Sequence, residues 1–277
     1  SNGDLVSTWA FDKNGKSYPI AGEIYKVCYK YNARHERISI SYYGAENQPI
    51  LFDGKYFEER LEYDTSGNVV QKSYWGADGN TVNNFHGFSV VAYTYDRIGN
   101  QISESYFDTD GTPVCSSMGY YKKQNTYDDA GNLISAQQWS LVPGTNLEER
   151  KTVDSKLRPV SICYYNVNGT PAIGSAGYHE LRRTYNGESY NILSESYYDA
   201  IGNPVCQEAG YHKIQYKYDS KDRQISSIRY GTDDLPLPND DGSFEIRSTY
   251  SDDGRIEMIS YFGASGEPVT VSHGYHK

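Results

Sequence analysis

The chain has 277 residues, with 26 lysines and arginines against 36 aspartates and glutamates, which gives a formal net charge of -10. This acidic balance argues against binding to nucleic acid or to an anionic membrane surface, where clustered lysine and arginine supply most of the affinity. No apolar run approaches the roughly 20 residues that a helix needs to cross a bilayer, so we expect no membrane insertion. The chain contains 29 tyrosines but only 8 phenylalanines. Tyrosine suits a strand on which the ring packs and the hydroxyl stays hydrated.

An internal repeat is the strongest signal in the sequence. A tyrosine that closes a predicted strand recurs every 32 residues in the first half of the chain; one step of 26 residues follows, and the later steps are of 32 or 33 residues. This marker position is occupied by Tyr31, Tyr63, Tyr95, Tyr127, Val153, Tyr185, Tyr218 and Tyr250. The pattern predicts one repeat array over 1–277, with a partial copy at 1–24 and copies at about 25–56, 57–88, 89–120, 121–146, 147–178, 179–211, 212–244 and 245–277. Because the chain stops where another copy would begin, we expect it to be a fragment of a longer protein.

Each copy has the features of a β-hairpin. Apolar residues lie two apart, as in Val91, Tyr93 and Tyr95, which places them on one face of a strand. Turn residues occur twice in each copy, at 96–100 and at 109–112 in the third copy, and the glycine in each turn supplies a positive φ. We therefore predict an all-β fold in which tandem hairpins of about 32 residues stack into an elongated antiparallel sheet or β-solenoid.

Two segments break the repeat. Around 136–151 a copy is six residues short, and around 231–242 the connector is rewritten with two prolines and four aspartates. Loops tolerate such changes, so both segments are interpreted as drifted loops. A site built by the departure from the repeat is the alternative, with Asp234 and Asp240 as its acidic groups.

The first turn carries the motif Tyr-Asp-x-x-Gly-Asn at 63–68, 95–100 and 127–132. This motif resembles the YD repeats of rearrangement-hotspot (RHS) and teneurin-type proteins, although the unit here is longer than is common in that family. The resemblance implies a secreted or surface-exposed β-structure, in some members a shell around a toxin, in which the repeats themselves are not catalytic.

The histidines and cysteines do not predict a catalytic or metal site. His179, His212 and His276 follow Gly-Tyr in three different copies, whereas an active site needs different groups converging on one point. Each copy adds two strands, so the same residue in adjacent copies recurs about 10 Å away. This distance is too large for ligands of one zinc ion. Cys115 and Cys206 occupy the same place in copies too distant to be bridged, so free thiols are expected. We predict no cofactor and no enzyme activity.

The best candidate for function is an aromatic doublet at the end of the second strand. Consecutive strand residues face opposite sides of a sheet, so each doublet places one ring on each face. One row of rings should be core, and the other is a candidate binding stripe. The candidate stripe consists of Tyr43, Trp75, Phe107, Tyr165, Tyr198 and Phe262. A shift of one residue would exchange the two faces, and packing of both rows inside a curled sheet is the alternative.

These features lead to two hypotheses of function. The first is a non-catalytic extracellular or cell-surface module of a secreted bacterial protein that binds cell-wall glycan or a partner surface through the aromatic stripe, with many weak contacts adding together. The second is a structural spacer or shell segment of a larger YD-repeat toxin-delivery protein. The sequence does not indicate an oligomeric state.

Overall fold

The computed structural model describes residues 4–271. Within that range the chain forms nineteen β-strands and no helix, so the predicted all-β stack of antiparallel hairpins is confirmed. The chain divides into two compact units, Ser1–Leu141 and Val142–Lys277, and each is described by itself below.

The first unit contains ten strands. They are β1 (Ser7–Phe11), β2 (Ser17–Tyr18), β3 (Lys26–Tyr31), β4 (Arg37–Tyr43), β5 (Glu58–Tyr63), β6 (Val69–Trp75), β7 (Val90–Tyr95), β8 (Gln101–Phe107), β9 (Lys122–Tyr127) and β10 (Leu133–Leu141).

The second unit contains nine strands. They are β11 (Leu147–Asp154), β12 (Pro159–Asn166), β13 (Glu180–Tyr185), β14 (Ile192–Tyr198), β15 (Lys213–Tyr218), β16 (Gln224–Tyr230), β17 (Pro236–Leu237), β18 (Glu245–Tyr250) and β19 (Ile256–Phe262).

Hairpins pair along their full length but meet each other over a shorter stretch. In the third copy, β7 pairs with β8 from Val90↔Phe107 to Tyr95↔Gln101. The same strand β7 pairs with β6 of the preceding hairpin only at Gln71↔Ala92, Lys72↔Val91 and Ser73↔Val90. The short contact between hairpins leaves the ends of each strand free to carry turns and connectors.

The marker tyrosines join consecutive hairpins. Each hydroxyl donates to a backbone carbonyl 26 residues earlier, near the start of the preceding second strand. The bonds run from Tyr31 to Leu5, Tyr63 to Arg37, Tyr95 to Val69, Tyr127 to Gln101, Tyr185 to Pro159, Tyr218 to Ile192 and Tyr250 to Gln224, at 2.7–3.0 Å.

The first turn has the predicted conformation, a tight turn with a bulge. Asp96 accepts hydrogen bonds through Oδ1 from the backbone N–H groups of Ile98 and Asn100, and through Oδ2 from the side-chain amide of Asn100. Gly99 has a φ of 91°, a conformation that glycine adopts without a side-chain clash, and the ladder shifts register between Thr94 and Tyr95. Asp-x-x-Gly-Asn is therefore a folding motif of the turn.

The connector after the second strand holds a third turn, which the sequence interpretation did not include. In the third copy, Gly119 donates its N–H to Ser116, and Ser116 donates its N–H to Tyr120. Gly119 has a φ of 87°. This turn sends the aromatic residue after the glycine back onto the sheet.

Those returning aromatics complete the core. In the first unit they alternate with the first ring of each doublet, and neighbouring ring centroids lie 4.7–6.1 Å apart. The row consists of Tyr42, Tyr56, Tyr74, Phe88, Tyr106 and Tyr120. The second unit has the same arrangement in Tyr164, Tyr178, Tyr197 and Tyr211. Most of these rings are buried, so the face that carries the first ring of each doublet is the core face.

The two irregular segments differ in how far they depart from the repeat. The six-residue deletion replaces a whole connector by a short turn in which Thr145 and Val142 donate N–H groups to Val142 and Leu147. The rewritten connector keeps the usual path, because Pro236 lies opposite Tyr230 as Pro204 lies opposite Tyr198.

Candidate functional site

The two rings of a doublet have different environments. Tyr106 is 4% exposed and belongs to the core row, whereas the adjacent Phe107 is half-buried on the opposite face of the strand. All six predicted stripe residues share the position of Phe107. The structure places Tyr43, Trp75, Phe107, Tyr165, Tyr198 and Phe262 at the end of the second strand of their hairpins, each half-buried.

Two further rings occupy the same position and were missed from the sequence. Trp139 pairs with Lys122 and Tyr230 pairs with Lys213, as Trp75 pairs with Glu58. Neither follows another aromatic residue, so neither forms part of a doublet. Each lies eight residues after the positive-φ residue of its turn, Gly131 or Asp222, as Trp75 lies eight residues after Gly67, so counting from that turn position finds both. The stripe is therefore one ring in each of eight complete hairpins.

In four hairpins an arginine lies over the stripe ring. The arginine stands two residues after a glutamate on the first strand, which puts both on the stripe face. The guanidinium carbon of Arg60 lies 3.9 Å from the centroid of the Trp75 ring. The other pairs are Arg150 over Tyr165, Arg182 over Tyr198 and Arg247 over Phe262, at 3.8–3.9 Å.

The glutamate fixes the arginine in place. Glu58, 7% exposed, accepts hydrogen bonds from Nε and Nη2 of Arg60 and from the hydroxyl of Ser39 on the preceding hairpin. Burial alone would raise the pKa of Glu58, yet the bonds from Arg60 and Ser39 outweigh it and the pKa is lowered. Glu245 forms the same set with Arg247 and Ser226. Each ring is thus covered by a cation whose charge is neutralised within the hairpin.

Three hairpins use a lysine instead. There the glutamate is replaced by the lysine itself, and the position of the arginine holds cysteine or glutamine. Lys26 lies 5.3 Å from the Tyr43 ring centroid, Lys122 lies 4.8 Å from that of Trp139, and Lys213 lies 4.8 Å from that of Tyr230. A cation therefore covers seven of the eight rings.

The third hairpin is the exception. Its first strand carries Val90 and Ala92 where other copies carry the glutamate and arginine or the lysine. Among residues 4–271, no lysine or arginine lies over the ring of Phe107. Of the eight stripe rings, Phe107 is thus the one without such a cation within the described part of the chain.

The repeated histidines support the packing of the stripe. His179 is 7% exposed, donates from Nδ1 to the carbonyl of Ala172 at 3.0 Å, and meets the Tyr165 ring edge-on. His212 is 4% exposed and packs in the same way against Tyr198. The third histidine of the set, His276, lies outside the described residues. The two described histidines belong to different hairpins and do not converge on one point.

Two of the four aspartates in the connector at 231–242 form ion pairs. Asp234 accepts from the Nζ of Lys213, and this contact lowers the pKa of Asp234. Asp240 lies 3.8 Å from Arg229.

Within residues 4–271, no cluster of three or more histidine, cysteine, aspartate or glutamate side chains could hold a metal ion. Nor does that part of the chain contain a helix suited to crossing a membrane. Cys28, Cys115, Cys163 and Cys206 are free thiols.

Comparisons with known proteins give only weak likenesses. The chain matches no protein-family model, and no curated protein is significantly similar to it. Solved structures similar to it include those of TcdB2-TccC3-TEV, at 13% identity over 98% of this chain with a TM-score of 0.28, and TcdB2-TccC3-Cdc42, at 16% identity over 91% with a TM-score of 0.32. The chain spans 16% and 13% of the length of those chains.

A porin-like protein from Bacteroides uniformis is also similar, at 10% identity over 84% of this chain and 87% of its own, with a TM-score of 0.18. Likenesses at TM-scores this low carry no inference about fold or function.

Proposed function

We propose that the chain is a non-catalytic structural module, a spacer or shell segment built from stacked hairpins within a larger protein. The observation that carries this proposal is the occupancy of the stripe. Seven of its eight rings are already covered by a lysine or arginine of their own hairpin. A ring that holds an intramolecular cation contributes to the stability of the hairpin and offers little free surface to a ligand.

The occupied stripe weighs against the first hypothesis of function. A glycan platform needs aromatic faces open to sugar rings, whereas a ligand here would first displace a lysine or, in four hairpins, an arginine held by a glutamate. The cost of that displacement is the loss of charge-assisted hydrogen bonds, roughly 1.5–3 kcal/mol for a bond to a charged group. The resemblance of the turn motif to YD repeats fits a segment of a large secreted protein, and we place the module outside the cell on that basis.

Retention on cell-wall polysaccharide, measured beside thermal unfolding, tests this proposal. The variants are Trp75→Ala and Phe11→Ala, the second removing an exposed ring of the partial copy. A structural module predicts no retention of the wild-type chain and a lower Tm for Trp75→Ala than for Phe11→Ala. Retention of the wild-type chain that Trp75→Ala abolishes at unchanged Tm would overturn the proposal and restore the glycan hypothesis.

A further inference from the structure

We propose that Phe107 is a docking point for an arginine or lysine side chain of a partner protein. This inference goes beyond the structural function, because it concerns the one stripe ring over which residues 4–271 place no lysine or arginine.

The chain itself shows which group the stripe rings accept. In both units the group over the ring is the guanidinium of an arginine or the ammonium of a lysine, at 3.8–5.3 Å from the centroid. We call this cation, with the glutamate that holds it where there is one, the lid of the ring. The strand position, the register and the half-buried state of the ring are the same at Phe107. A cation supplied by another protein would therefore meet the same geometry that the internal cations use.

The third hairpin leaves room for that cation. Ala92 stands where Arg60 stands in the second copy, and its side chain ends at Cβ, so it cannot extend over the ring. Val90 stands where Glu58 stands in the second copy, so no carboxylate at that position binds a cation. An aromatic face bordered by two apolar side chains is partly desolvated, and desolvation strengthens attraction to a cation.

The second turn, which follows the ring, carries negative charge. Asp108 follows the ring directly, and Asp110 lies two residues farther along the second turn. The backbone N–H of Asp110 donates to Oδ1 of Asp108, and the backbone N–H of Thr112 donates to Oδ1 of Asp110, so both carboxylates are held within this turn. The chain as a whole carries -10, which steers cationic partners toward it and repels acidic ones.

Aromatic ¹³C NMR of phenylalanine-labelled protein tests the proposal, because Phe107 and Phe262 act as a matched pair. Phe262 occupies the same position in the eighth hairpin and is covered by Arg247 at 3.8 Å. The probe is a peptide of alternating arginine and glycine, with a glutamate–glycine peptide of the same length and a cello-oligosaccharide as comparisons. We expect the arginine peptide to shift the Phe107 signals saturably, while Phe262 and both comparison titrations change little.

Two double variants complete the test. Val90→Glu with Ala92→Arg installs the missing lid and is expected to weaken the affinity for the arginine peptide by roughly fivefold or more. Glu58→Val with Arg60→Ala removes the cation over Trp75, and in protein labelled at tryptophan the ring signals of Trp75 are then expected to respond to the same peptide. Equal shifts of Phe107 and Phe262, a response of Phe107 to the oligosaccharide equal to that to the arginine peptide, or unchanged affinity in the lid-bearing variant would each overturn the proposal.

Discussion

The hydroxyl of Tyr95 donates a hydrogen bond of 2.9 Å to the carbonyl oxygen of Val69, 26 residues earlier in the chain. Tyr95 ends the first strand of one hairpin and Val69 begins the second strand of the hairpin before it. The same bond, at the same separation of 26 residues, occurs at seven of the eight marker positions. The tyrosine that marks the repeat in the sequence is therefore the residue that fixes the spacing between hairpins.

Replacing Tyr95 by phenylalanine tests the contribution of this bond. The variant keeps the ring but leaves the carbonyl of Val69 without its donor, so we expect a loss of about 1 kcal/mol in the free energy of unfolding. Urea denaturation measures the change. The control is Tyr18→Phe, since Tyr18 is 60% exposed, and it should lie within about 0.5 kcal/mol of the wild-type chain. Equal effects of the two substitutions would contradict a role for the hydroxyl.

The turn glycine gives a second prediction. Gly99 has a φ of 91° and open space around its Cα, so Gly99→Ala should cost roughly 1–2 kcal/mol through backbone strain alone. Leu157 occupies the same place in the fifth copy at a φ of 62° and is 51% exposed. Leu157→Gly should relieve similar strain and leave stability unchanged or higher. Chemical denaturation of both variants checks the opposite signs, and destabilisation by Leu157→Gly beyond about 1 kcal/mol would count against the strain argument.

The lid over Trp75 gives a third prediction. Arg60→Ala removes the cation and leaves the buried carboxylate of Glu58 without its main partner, so we expect a loss of roughly 1–3 kcal/mol. Adding Glu58→Val removes the orphaned charge and recreates the Val–x–Ala pair of the third copy. The double variant should therefore be more stable than Arg60→Ala alone. Thermal unfolding of the three proteins measures this, and a double variant less stable than the single one would refute the coupling.

The lowered pKa of Glu58 predicts a dependence of stability on pH. The ionised carboxylate is stabilised in the folded chain by Arg60 and Ser39 despite its burial. This stabilisation is complete above the unfolded pKa of about 4.3, and it is lost as the pH falls through the lower folded value. The difference in unfolding free energy between the wild-type chain and Glu58→Gln should be constant near neutrality and shrink below about pH 4. A difference that does not change with pH would mean that Glu58 is not ionised in the fold.

Much of the fold could be predicted from local sequence. The marker tyrosines, the alternation in strands such as Val91–Tyr95, and the glycine of Asp96–Asn100 each act within a few residues, so the hairpins and the first turn were recognisable. The turn motif also recurs at Tyr198–Asn203, in a second turn, where the sequence interpretation did not look for it.

The rest depends on contacts between distant residues. Alternation shows that Tyr106 and Phe107 face opposite sides, but only the return of Tyr120 onto the sheet makes the Tyr106 side the core. The arginines over the stripe rings could not be predicted from local sequence either, because Arg60 contacts Trp75 across the two strands of the hairpin. Binding at the stripe thus remains a prediction, and the docking of a cation at Phe107 is its most specific version.

Deletion of residues 89–120 tests the central claim, that each copy is an interchangeable structural unit. The deletion removes 32 residues and brings Tyr127 to 26 residues after Val69, so the hydroxyl bond and the strand register are both restored. We expect a folded β-protein that unfolds cooperatively, measured by circular dichroism during thermal unfolding. Deletion of residues 89–104 removes half a copy and should prevent this. An unfolded chain after the first deletion, or a folded one after both, would contradict the repeat as the unit of structure.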